Sequence, residues 1–108
     1  MPDTNPVLTE ADNGKTITVP ADRPFAVELR ENASGGYRWS LDPPDNGDLR
    51  VVDIIHAPAP ASIGGSSGVR WVMQSRKPGL AWLRFKLWRP FEGESSVQRE
   101  FAVTVEIR

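Results

Sequence analysis

At the end of the chain four apolar side chains, Phe101, Val103, Val105 and Ile107, alternate with Ala102, Thr104 and Glu106. A strand turns successive side chains to opposite faces, so this period of two makes one apolar and one polar face. A helix, with 3.6 residues per turn, would scatter the same residues around its axis. The pattern recurs where Phe25, Val27 and Leu29 alternate with Ala26, Glu28 and Arg30, and where Tyr37, Trp39 and Leu41 alternate with Arg38, Ser40 and Asp42. It recurs again where Ala81, Leu83, Phe85 and Leu87 oppose Trp82, Arg84, Lys86 and Trp88. Segments 15–19, 49–56 and 69–76 complete seven strands, and ten prolines and nine glycines punctuate the intervals between them. Seven short strands with turn signals about every 8–12 residues predict an all-β, immunoglobulin-like β-sandwich. The chain reads as one domain over 1–108, with 1–14 a loose N-terminal segment. With no cysteine in the sequence, the Cys–Trp–Cys signature of antibody domains is missing, and the pattern supports the architecture alone.

Composition narrows the function classes. Thirteen basic and fourteen acidic side chains leave a net charge of −1, too little cationic surplus to drive counterion release from a nucleic acid. No apolar run approaches the roughly 20 residues of a membrane-spanning helix, and residues 1–5 lack the regions of a signal peptide. The expectation is a soluble chain, cytoplasmic or the mature part of an exported protein, with neither nucleic acid nor membrane as partner. Catalysis has few candidates. His56 is the single histidine and reads as a strand-end side chain rather than a base. Ser66 and Ser67 belong to no G-x-S-x-G elbow. Asp42, Asp45 and Asp48 lack the spacing of a calcium loop, and the glycines from Gly64 to Gly68 precede no lysine and open no helix. The chain is therefore not expected to be an enzyme, and no metal or cofactor is implied.

Loop order points to a binding role. In a sandwich whose strands run alternately up and down, the second, fourth and sixth connections leave from one end; in immunoglobulin lettering these are the B–C, D–E and F–G loops. Here they span 32–36, 58–68 and 89–96. The first is small and glycine-doubled, the second proline-rich and then glycine-rich, and the third opens on Arg89, Pro90 and Phe91. Three pre-shaped loops on a rigid scaffold form a binding surface. Trp39 and Trp71 fit inward strand positions, whereas Trp82 and Trp88 fall on the outward face of their strand, Trp88 close to the binding end. An aromatic that follows Arg-Pro at a loop tip is expected to stand in solvent, and an exposed aromatic beside an arginine has the composition of an interface hot spot.

Taken together, the three loops resemble those of the chagasin-like inhibitors of papain-type cysteine peptidases. That family carries N-P-T-T-G-Y-x-W, G-x-G-G and R-P-W motifs in the three loops. This chain has Asn32, Ala33, Ser34, Gly35, Gly36, Tyr37, Arg38 and Trp39 in the first place. It has Ser62, Ile63, Gly64 and Gly65 in the second, and Arg89, Pro90 and Phe91 in the third. The match extends from about Lys15 to the end of the chain. The resemblance implies a reversible, tight-binding inhibitor, not cleaved as a substrate, that presses its loop end into the peptidase cleft as a wedge. Asn32, Ser34 and Gly36 would then lie at the catalytic centre, with Ala33 and Gly35 between them. Ile63, Gly64 and Gly65 would grip one side of the cleft, and Trp88, Arg89, Pro90 and Phe91 the other. The implied partner is a papain-like cysteine peptidase, endogenous or foreign, and the wedge needs a free loop end, as in a monomer.

Four positions depart from the family pattern: Ala33 stands for proline, Gly35 for threonine, Ser62 for glycine and Phe91 for tryptophan. The first two loosen the leading loop at about 0.4–1 kcal/mol each, so reduced affinity is expected. The alternative is a non-inhibitory immunoglobulin-like module that binds a carbohydrate or another protein through the same loops or through the Trp82/Trp88 face.

Overall fold

A computed structural model describes residues 6–31, 37–42, 49–57 and 67–108. Its strands are β1 (Val7–Leu8), β2 (Thr16–Val19), β3 (Phe25–Glu31), β4 (Arg38–Leu41), β5 (Arg50–Ala57), β6 (Ser67–Gln74), β7 (Gly79–Trp88) and β8 (Arg99–Ile107). Single-turn 3-10 helices occupy Glu10–Asp12 (η1), Pro90–Glu92 (η2) and Glu94–Ser96 (η3). The strands form two four-stranded sheets, in the orders β1-β3-β6-β5 and β2-β8-β7-β4. All seven segments read from the alternation are strands, and the fold is the expected sandwich.

The apolar faces meet between the sheets. Phe25, Val27 and Leu29 from β3 face Leu83 and Phe85 from β7 and Phe101 and Val105 from β8, all buried. Trp71 and Phe85 approach to 4.8 Å between ring centroids, and Phe85 and Phe101 to 5.8 Å, both tilted. Each such buried side chain contributes about 1.5–3 kcal/mol relative to exposure. Trp39 and Trp71 are buried as expected.

One element was not legible in the pattern. The alternation places no strand before Lys15, yet Val7 and Leu8 pair in parallel with Ala26 and Val27 of β3. Leu8 is 3% exposed and belongs to the core. A capping box closes η1 behind it: the Thr9 side chain accepts the Ala11 N–H, and the Asp12 carboxylate accepts the Thr9 N–H at 2.9 Å. The Glu10 carboxylate then accepts the Arg30 N–H at 3.1 Å, so part of the segment expected to be loose is fastened to β3. Two residues are too few to display a period.

Register places the loops. β3 ends and β6 begins at the pair Glu31↔Ser67, and Ala57 at the end of β5 lies opposite Gly68. In the other sheet β4 begins where β7 ends, Arg38↔Trp88, and β8 begins opposite Leu87. Trp39 bridges the two sheets here, since its backbone N–H donates to the Glu31 carboxylate at 3.0 Å and its indole N–H to the Arg30 carbonyl at 2.7 Å. The connections after β3, β5 and β7 therefore all leave from one end of the sandwich.

Candidate functional site

At that end the connection from β7 to β8 is the one whose course is described. Pro90 opens η2, where its fixed φ suits the first helical position and its missing N–H costs nothing. The turn stops at Gly93, whose φ of 81° and ψ of −167° lie in a region almost restricted to glycine. A Cβ there would meet nothing within 4 Å, so the requirement is conformational rather than steric. Gly93 also begins η3. The double turn brings Ser96 back to Arg89: the Ser96 hydroxyl oxygen accepts the Arg89 N–H at 2.9 Å and lies 2.7 Å from the Gly93 carbonyl. Between these points Phe91 is 77% exposed, the solvent position expected from the sequence.

Arg89 faces partly inward. Its guanidinium lies over the Tyr37 ring at 4.5 Å from the centroid and pairs with the Glu92 carboxylate at 3.2 Å. A stack of this kind is worth about 0.5–1 kcal/mol at an exposed site. It connects the third loop to the base of the first, because Tyr37 immediately precedes β4 and packs against the core. Trp88 is half-buried; its indole N–H donates to the Ser40 hydroxyl at 2.9 Å, and the Lys86 ammonium sits 3.7 Å from its ring centroid. Lys86 also pairs with Glu94 of η3, which joins the strand face to the loop.

The root of the first loop is closed by Glu31, a carboxylate only 7% exposed whose acceptance of the Trp39 N–H fixes the exit from β3 relative to the entry to β4. Asn32, Ala33, Ser34, Gly35 and Gly36, and likewise Ile63, Gly64 and Gly65, lie outside the described residues, as do Asp45, Asp48, Ser62 and Ser66. The structure thus brings Arg89, Pro90 and Phe91 together with Tyr37 and Trp88 at the end from which both other loops depart. The motif reading passed over Glu31, Ser40, Lys86, Glu94 and Ser96. A signal existed for Glu31: the inward series Phe25, Val27, Leu29 continues to it at period two.

Elsewhere, His56 is exposed near the end of β5. Trp82, 61% exposed, borders an open hollow of about 640 Å³ on the outer face of the second sheet, beside Asp42, Arg84 and Thr104.

Comparison with known proteins gives the family of the chain. The family model described as chagasin family peptidase inhibitor I42 matches residues 18–105. The chain belongs to the chagasin family of peptidase inhibitors. The chagasin-family match spans β2 to β8 and includes all three loops. Among curated proteins the chain is similar to Amoebiasin-2 of Entamoeba histolytica, 27% identical over 104 residues that cover 94% of this chain and 85% of the relative. Among solved structures it resembles the cysteine protease inhibitor EhICP2 from Entamoeba histolytica, with a TM-score of 0.82 at 23% identity and full coverage of both chains. It also resembles PbICP-C, solved in complex with falcipain-2, with a TM-score of 0.63 at 17% identity over 100% of this chain and 94% of that one. These likenesses support the same sandwich fold in all three chains.

Proposed function

We propose that the chain is a reversible, tight-binding inhibitor of papain-like cysteine peptidases that inserts the 32–36, 58–68 and 89–96 loops into the active-site cleft. The observation that carries this reading is Phe91, held out in solvent by a closed double turn at the end where the roots of the other two loops converge. Family membership supports inhibition, and the complex of PbICP-C with falcipain-2 supports a cysteine peptidase as partner.

The mechanism is occlusion rather than chemistry. A loop entering a narrow cleft must bring its backbone near the catalytic centre without side-chain bulk, and the small residues Asn32, Ala33, Ser34, Gly35 and Gly36 meet that need. In this reading they cover the catalytic cysteine, Ile63, Gly64 and Gly65 make backbone contacts on one wall, and Phe91 with Pro90 packs on the other. Trp88 and Arg89 contribute to the same wall. A standard interface of about 800 Å² per partner is large enough for nanomolar binding, and loops ordered before docking lower the entropy lost on association. Glu31, Trp39 and the Arg89–Tyr37 stack supply that order at the roots.

The test is a titration of papain and a cathepsin L-like enzyme with the purified chain, following hydrolysis of a fluorogenic peptide. Stoichiometric inhibition, relieved on dilution and leaving the added chain uncut, is expected. Full peptidase activity at micromolar protein would refute the proposal.

A further inference from the structure

We propose that Ser96 is the positioning residue that sets the direction of Phe91, an inference that rests on the inhibitory role of the loop end. Ser96 lies seven residues beyond Arg89 and outside the three-residue motif, yet its hydroxyl closes the whole turn. The oxygen accepts the Arg89 N–H at 2.9 Å and stands 3.0 Å from the Arg89 carbonyl and 2.7 Å from the Gly93 carbonyl. The single hydroxyl proton serves one of those carbonyls at a time. The Arg89 N–H sits at the N-cap of η2, where a helical turn leaves donors without an internal partner. Ser96 thus ties the residue before Pro90 to the glycine that ends the turn, and Phe91 lies between the two tied points. Its neighbours add to the closure: the Ser96 N–H donates to the Gly93 carbonyl at 3.0 Å, and the Gly93 N–H to Arg89 and Pro90 at 3.2 and 3.3 Å.

Exposure explains why the brace matters. Phe91 is 77% exposed, so packing of its own ring does little to direct it, and the backbone on either side must do so. When the docking-competent arrangement is only partly populated, apparent affinity falls by that fraction. Loss of the hydrogen bond between the Arg89 N–H and the Ser96 hydroxyl corresponds to about a ten-fold fall.

The experiment measures inhibition of papain by the intact chain and by the variants Ser96→Ala, Ser96→Thr, Phe91→Ala and Phe91→Ala with Ser96→Ala. Ser96→Ala is expected to weaken inhibition about ten-fold, with Ser96→Thr, which keeps the hydroxyl, close to the parent. In the Phe91→Ala background the further loss from Ser96→Ala is expected to shrink to within about two-fold, because a residue that acts through Phe91 has nothing left to position. An undiminished loss in that background, or no loss in the parent, would overturn the inference. Amide hydrogen exchange on the free chain separates this from failure of the inhibitory reading. Ser96→Ala should speed exchange at Arg89 and leave Gln98, whose N–H donates to the Leu87 carbonyl at 2.8 Å, unchanged. Unaltered Arg89 exchange defeats the brace whether or not papain is inhibited, whereas faster exchange together with an uninhibited papain defeats only the inhibitory role.

Discussion

Phe91 and Trp82 are both aromatic and both largely in solvent, 77% and 61% exposed, but their surroundings differ in kind. Trp82 projects from the middle of β7, opposite Thr104 of β8, and its place follows from strand alternation alone. Phe91 stands on a turn that needs a proline, a glycine at positive φ and a serine folded back on the chain before its ring can point outward. The lesson is that exposure of an aromatic is weak evidence of function, whereas exposure on a turn whose own hydrogen bonds close on either side of the ring is stronger evidence. Scattered apolar residues on a sheet face are normal in soluble proteins. A closed loop with a glycine at positive φ beneath one presented ring is not.

Substitutions can break this comparison or sharpen it. The largest effect is expected at the leading loop, where Gly36→Trp should abolish peptidase inhibition, more than about 100-fold, while the thermal midpoint stays within a few degrees. Unchanged inhibition would remove the wedge. Phe91→Ala comes next, with an expected loss of about 2 kcal/mol in binding, roughly 30-fold, measured as the inhibition constant against papain. Gly93→Ala forces a Cβ into the region at φ 81° and should cost about 1 kcal/mol or more in ordering the turn; denaturant unfolding and inhibition together would show whether that cost falls on the loop or on the whole domain. The smallest effect belongs to Trp82→Ala, for which inhibition within two-fold of the parent is expected.

The fold was open to sequence reading because its elements obey the shortest period a chain has. Four inward residues on β8 and four on β7 state their face without knowledge of the partner strand, and the structure buries all eight. β1 was not readable, since its two residues acquire a face only once Leu8 meets the core. Within the site, the motif residues of the third loop were legible, and Phe91 occupies the exposed position foreseen for it. The brace was not. Ser96 and Glu94 look like ordinary loop polar residues, and their partners Arg89 and Lys86 are set by the path of two consecutive 3-10 turns that no local pattern announces. The resemblance directs Arg89 toward the peptidase, while the structure also lays it over Tyr37, a contact between residues 52 positions apart that only the folded sandwich creates. The peptidase-binding assignments for 32–36, for Ile63, Gly64 and Gly65 and for Trp88, Arg89, Pro90 and Phe91 rest on the motifs and belong to the proposal.

The central claim, that the loop end rather than the sheet face is the working surface, is tested most directly by measuring the inhibition constants of Phe91→Ala and Trp82→Ala side by side against the same papain-like peptidase. The account predicts a rise of roughly 30-fold for the first and none beyond two-fold for the second. A greater loss from Trp82→Ala than from Phe91→Ala would contradict it and move the binding surface to the outer face of the second sheet.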